Sequence, residues 1–165
     1  MFRKMRRQRQ QLTDEKAELL LKEASHGVLG VVGDNGYPYT VPVNHVYDNG
    51  KIYFHCAKSG HKLDAIKSCD KVSFCVISKS DVIPSERATD YLSVIAFGKA
   101  KIITDSEEIY RISELIGDKF SSGYPEETEK EINDTIRANA MYCVEITVEH
   151  ITGKCALRAV KKDTP

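Results

Sequence analysis

The chain has 165 residues, enough for one domain with a core that needs no cross-links. Its 24 basic and 24 acidic side chains cancel, which argues against a dedicated nucleic-acid binder, since such proteins carry a basic excess. No run approaches the ~18 apolar residues of a membrane span.

The five cysteines, at 56, 69, 75, 143 and 155, show no C-x-x-C spacing. Cys56, Cys75 and Cys143 lie in apolar, strand-like runs, where a free thiol acts as a small hydrophobe. This usage leads us to expect reduced core thiols in a cytoplasmic protein. Residues 1–12 form a basic arm with Arg3, Lys4, Arg6, Arg7 and Arg9. Gln8, Gln10 and Gln11 stand where a signal peptide would need its apolar stretch. The arm therefore reads as a solvated tail or a partner contact.

Thr13 can cap a helix running to about Ala24, with Leu19 and Leu20 on its apolar side. Gly27 to Gly33 is a short apolar run bounded by glycines, the pattern of a buried strand. Asp34-Asn35-Gly36 signals a turn. Tyr39 to Tyr47 then reads as one strand with Tyr39, Val41, Val43, His45 and Tyr47 on a common face. Pro42 places an edge or a bulge in that strand, because proline cannot donate to a ladder. Asp48-Asn49-Gly50 signals a hairpin into the strand Lys51–Cys56. A short helix with Leu63 and Ile66 inward follows. Lys71–Ser78 is the next strand, and residues 79–90 read as a long polar connection. Tyr91–Ile103 is a long strand with Gly98 at a bulge or bend. Asp105 opens a helix with Ile109, Ile112, Leu115 and Ile116 inward. A polar helix over Glu126–Asn139 and a strand over Met141–Val148 end the pattern. Six strands joined mostly by tight turns suit a single antiparallel barrel rather than a doubly wound sheet.

Residues 51–66, KIYFHCAKSGHKLDAI, carry the clearest chemistry. A strand ends at His55-Cys56, a turn with Ser59 and Gly60 follows, and a helix begins near His61. Helix N-termini leave N–H groups unpaired and suit phosphate. Lys58, His61 and Lys62 add cations there, and Gly60 allows close backbone approach. The alternative is a loop of ordinary surface cations. His45 and His55 fall on adjacent hairpin strands and could line one cavity, but no third metal ligand is placed to help. His26 and His150 read as surface residues at strand ends. In KIYFHC, Ile52, Phe54 and Cys56 share one face, so His55 points away from the core if those three pack inward.

The segments DNGYPYTVPVNH (34–45), 51–66, KVSFC (71–75), SVIAFGKA (93–100) and HITGK (150–154), with the opening MFRKMRRQRQ, resemble one family over nearly the whole chain. That family is the nitroimidazole-resistance-type branch of the pyridoxamine 5′-phosphate oxidase-like flavoproteins. The resemblance implies a mainly β (α+β) fold, a six-stranded antiparallel split β-barrel with peripheral helices that dimerises and binds FMN between subunits. It places Val41, Pro42, Val43 and Asn44 along the flavin ring and ribityl chain. His55 and Ala57 would sit beside the flavin, and Lys58, Gly60, His61 and Lys62 at its phosphate. Ser93 and Val94 would approach near the dimer seam, with Lys154 as a further contact. The oxidase proper finishes its site with a Trp, and this chain has none, which speaks against pyridoxamine phosphate oxidation. The expected activity is FMN-dependent reduction of small flat molecules such as nitroaromatics, with His55 as the catalytic residue. The alternative is a non-catalytic flavin or haem binder. A small-molecule substrate and a second copy of the chain are the expected partners, with neither nucleic acid nor membrane.

Overall fold

Thr13 starts the first helix of the computed structural model, which describes residues 2–156. Met1 of the expected arm and residues 157–165 of the expected single domain lie outside the described residues. The Thr13 hydroxyl accepts a hydrogen bond from the Lys16 amide at 3.3 Å, and α1 runs Asp14–Glu23. Its buried positions are Ala17 and Leu21, while Leu19 is exposed. Leu20 packs against the core as expected, but the buried side centres on Ala17 and Leu21 rather than Leu19, because three successive leucines leave the phase of a helix open.

The other elements are β1 His26–Val32, β2 Pro38–Asn44, β3 Val46–Asp48, β4 Lys51–Ala57, α2 His61–Ser68 and β5 Lys71–Ile83. After them come β6 Ala88–Ile103, α3 Ser106–Phe120, α4 Pro125–Arg137 and β7 Met141–Cys155. The two D-N-G signals are turns as read: Asn35, Gly36, Asn49 and Gly50 all take positive φ. Asp105 caps α3 by accepting from the Glu108 amide at 3.0 Å.

The strands form one antiparallel sheet in the order β2-β1-β5-β6-β7-β4-β3. This is the expected α+β split-barrel architecture, with two differences in detail. The sheet has seven strands and its hydrogen bonding does not close. The extra strand arises because the expected Tyr39–Tyr47 strand breaks at His45 into β2 and β3, which stand at opposite edges. Pro42 accordingly lies on an edge strand.

Residues 79–90 are not a connection. β5 and β6 continue as a ribbon to Ile83 and from Ala88, turned by a single 3₁₀ turn at Pro84–Glu86 and by Arg87 at φ 49°. Most of this ribbon is exposed on both faces, so no apolar alternation marks it in the sequence. Lys79 braces it, 3.2 Å from Asp81 and 4.0 Å from Asp90. β7 also runs past Val148 to Cys155. The β6–β7 register shifts at Gly98, where Glu149 is the extra residue, and a Cβ on Gly98 would collide with the Thr147 carbonyl. His150 therefore lies inside β7 rather than at a strand end. Phe2 of the arm stacks on it at 4.7 Å, and Gln10 is buried. The arm touches the β6–β7 face at both ends, while its basic residues Arg3, Lys4, Arg6, Arg7 and Arg9 are exposed as expected.

Two apolar clusters result. The larger fills the barrel with Leu29, Ile52, Phe54, Leu63, Phe74, Val76, Val94, Val144 and Ile146. The smaller lies outside, where Ile109, Ile112 and Ile116 of α3 cover Val46, Tyr53 and Cys143. Cys56 and Cys143 are buried as expected, and the burial of Cys143 pushes its thiol up to about 12. Cys75 is only half-buried on the outer face of β5.

His45 sits where β2 passes into β3 and is fully buried. Its Nε2 donates to the Leu21 carbonyl at 2.9 Å, its ring meets Phe74 edge-on, and Nδ1 has no protein partner among the described residues. Burial pushes its pKa down to about 4. The unfolded chain, with an ordinary imidazole near 6.5, then binds more protons below that pH than the folded one. The stability this neutral histidine supplies is complete above pH 6.5 and falls as pH drops toward 4, by about 3 kcal/mol in all. In thermal melts between pH 7 and 4, His45→Gln should flatten this loss. An equally steep loss in the variant would place the acid sensitivity elsewhere.

Candidate functional site

β4 delivers its last residues to the outside of the barrel. Ile52, Phe54 and Cys56 face the core, so His55 and Ala57 face outward. Three residues later the chain turns at Gly60, with φ 129° and ψ 165°, and enters α2. No side chain caps this helix; the Gly60 carbonyl accepts from the Leu63 and Asp64 amides. The amides at the very start of the helix stay free for an incoming acceptor. Nothing stands within 4 Å of where a Gly60 Cβ would be, so the approach is open. His61 and Lys62 are the first two residues of α2, and Lys58 lies with its ammonium 5.0 Å over the Tyr142 ring. His61 stacks on Tyr39 at 4.2 Å, and its Nε2 is 3.6 Å from an Asp34 carboxylate oxygen.

The Tyr39–His61 contact ties the start of β2 to this helix terminus. From there β2 runs as an edge strand toward His55, with Val41 and Val43 packed on the barrel core and Pro42 and Asn44 turned outward. At its end Asn44 and His55 line one cavity of about 250 Å³ beneath α3 and α4. Burial lowers the His55 pKa, and Glu131 of α4 opposes the shift. Val41, Pro42, Val43, Asn44, His55, Ala57, Lys58, Gly60, His61 and Lys62 thus lie along one side of the barrel. That side carries a cationic helix terminus at one end and an imidazole at the other.

Ser93, Val94 and Lys154 are elsewhere. Val94 is fully buried in the core, while Ser93 pairs with Ile77 and Lys154 in the middle of the sheet. The Lys154 ammonium lies 5.4 Å over Tyr91. β6 is three strands from β2, about 14 Å along the sheet. His45 and His55 do not share a cavity either, since the His45 ring is sealed against Leu21 and Phe74. The cavity wall supplied by Phe120, Glu131 and Met141 escaped the sequence reading. The amphipathic pattern of α3 and α4 marks which side of each helix is buried but not which strand end it covers.

The fold is an antiparallel split barrel with an uncapped, cation-flanked helix terminus beside an open edge strand. The chain belongs to the pyridoxamine 5′-phosphate oxidase family, whose model matches residues 13–155. No curated protein matches it. Among solved structures it is similar to a proposed 5-nitroimidazole antibiotic resistance protein from Bacteroides thetaiotaomicron, with 20% identity, 88% of this chain and 86% of that one covered, and a TM-score of 0.74. It is also similar to a FAD and heme binding protein from Mycobacterium smegmatis, at 18% identity, 89% and 73% coverage and a TM-score of 0.71. A FAD-binding protein from Mesorhizobium loti matches at 20% identity, 88% and 96% coverage and a TM-score of 0.60. Among the described residues no helix is long and apolar enough to cross a membrane.

Gly60 occupies a backbone region that is close to glycine-only. Gly60→Ala meets no steric obstacle, so its cost is purely conformational. We expect a loss of about 1–3 kcal/mol in urea denaturation. No loss would mean that the turn adopts another conformation.

Proposed function

We propose that this chain is an FMN-binding flavoprotein that works as a homodimer and reduces small flat acceptors of the nitroaromatic kind. The observation that carries the reading is the α2 N-terminus: free amides, an open glycine at φ 129°, and His61 and Lys62 in the first turn, all beside the open edge of β2. These residues fit a phosphate on a chain running along β2. Haem has no phosphate, and its singly charged propionates use such a terminus less fully than a phosphate dianion does. A bound flavin would supply the redox chemistry, accepting a hydride and passing electrons to a flat acceptor. The protein's part is positioning. Lys62 and His61 hold the phosphate end, Pro42 and Asn44 line the path, and His55 delivers or holds a proton at the ring end. Burial favours the neutral imidazole of His55 and Glu131 favours its protonated form, so the ring stands between a proton acceptor and a proton donor.

Placement supports the homodimer. Ser93 and Lys154 stand on the middle of the sheet, away from the β2–α2 side. Their contact with a flavin on that side, which the family resemblance implies, would come from a second copy. The outer face of β5 and β6 carries Ile77, Ile95 and Phe97 exposed at 65%, 42% and 38%, an apolar strip suited to burial against such a copy. Sedimentation at micromolar concentration should give a dimer. A monomer that retains flavin would contradict this part of the proposal.

Lys62→Ala tests the phosphate assignment. Loss of a charge-assisted contact of about 1.5–3 kcal/mol should weaken FMN roughly ten- to a hundred-fold. Riboflavin, which lacks the phosphate, should bind the variant and the parent alike. Equal weakening of both ligands would overturn the assignment.

A further inference from the structure

The α3–α4 hairpin holds a cavity of about 250 Å³ against the barrel. Asn44 and His55 face it from the barrel, and Ile116, Phe120, Ile132 and Met141 give it apolar walls. Glu131 is the one carboxylate among the described residues that line it. We propose that this cavity is the substrate chamber, and that it takes a compact, flat acceptor bearing a cationic nitrogen group held between the Glu131 carboxylate and the His55 imidazole. The role as a substrate chamber rests on the flavin reading above; the preference for a cation does not.

Size and charge lead to this class. The volume of about 250 Å³ falls below the ~300–1,000 Å³ of pockets for drug-sized ligands, so the chamber suits a compact ligand rather than a drug-sized one. On the hairpin Glu108 pairs with Arg111 at 2.7 Å and Asp134 with Arg137 at 3.7 Å, and of the remaining carboxylates Glu131 is the one that lines this cavity. Glu131 has no lysine or arginine partner among the described residues. A carboxylate left without a counter-charge beside apolar walls favours a cation that brings its own apolar body.

The other groups around His55 do not compete for that role. Directly across the ladder on β7 lies Cys143, whose thiol stays neutral at physiological pH. β2 offers the uncharged Asn44. The α3 residues on the cavity are uncharged, and the Lys119 ammonium of that helix donates to the Lys22, Ala24 and His45 carbonyls. Glu131 is therefore the charged group that acts on His55, raising an imidazole pKa that burial lowers.

The test uses the full chain and two probes of one shape, benzamidinium and neutral benzamide, followed by NMR at the His55 ring and the Met141 methyl. Benzamidinium should perturb both signals, and benzamide should bind roughly tenfold or more weakly. Glu131 is exposed, so Glu131→Gln should leave the fold intact, abolish the preference for the cation and lower the His55 pKa in a ring-proton titration. Equal binding of the two probes, or a Glu131→Gln variant with unchanged titration and selectivity, would overturn the proposal. Benzamidinium that stays bound when FMN saturates the protein supports a chamber beside the flavin, and displacement by FMN contradicts it. A protein that binds benzamidinium through Glu131 but takes up no flavin would overturn the flavin reading while leaving the cation preference in place.

Discussion

The structure depends on a single residue of chain between two sheet edges. β2 and β3 stand at opposite ends of the strand order, yet only His45 separates Asn44 from Val46. Successive Cα atoms are 3.8 Å apart, so at this corner the two edges of a seven-strand sheet lie within about 7 Å. The sheet must therefore curl into a barrel whether or not its edges exchange hydrogen bonds. Lys119 holds the corner from outside, donating to the Lys22, Ala24 and His45 carbonyls at 2.9, 2.6 and 3.0 Å. One ammonium thus satisfies carbonyls at the end of α1, where a cation is favoured by the helix dipole, together with one at the crossing. His45 holds it from inside through the Leu21 carbonyl.

The same corner makes the site. Because β2 leaves the sheet there, its outer edge is unpaired in the sheet order, and α2 and β4 come alongside it without closing over it. A fully hydrogen-bonded barrel would have no such slot. α3 seals the opposite side of β3 and β4 with its isoleucines, and α4 turns the remaining gap near His55 into a cavity. Fold and site are consequences of one topological break.

Much of this was legible in the residues. Alternation and D-N-G turns marked most of the strands. The strand–turn–helix string at 51–66 located the helix terminus, and the core-facing Ile52, Phe54 and Cys56 oriented His55. Three features were not legible, for physical reasons. The β2–β3 break hides because His45 continues the apolar alternation of Tyr39, Val41 and Val43 while the backbone changes sheet edge. The β5–β6 ribbon hides because a strand pair exposed on both faces needs no hydrophobic period. The roles of Glu131 and Lys119 hide because long-range partners of surface-pattern residues leave no local signature. Of the residues placed by family resemblance, the β2, β4 and α2 group converges within one chain. Ser93, Val94 and Lys154 do not join it.

In the proposed function this barrel holds a flavin by its phosphate at the start of α2. The most direct measurement is the absorption spectrum of the purified protein, with mass identification of any small molecule released on denaturation. Flavin bands and release of FMN, or flavin bands that appear when FMN is added to the protein, are the expected result. A Soret band, or a spectrum that stays bare after FMN is added, would contradict it.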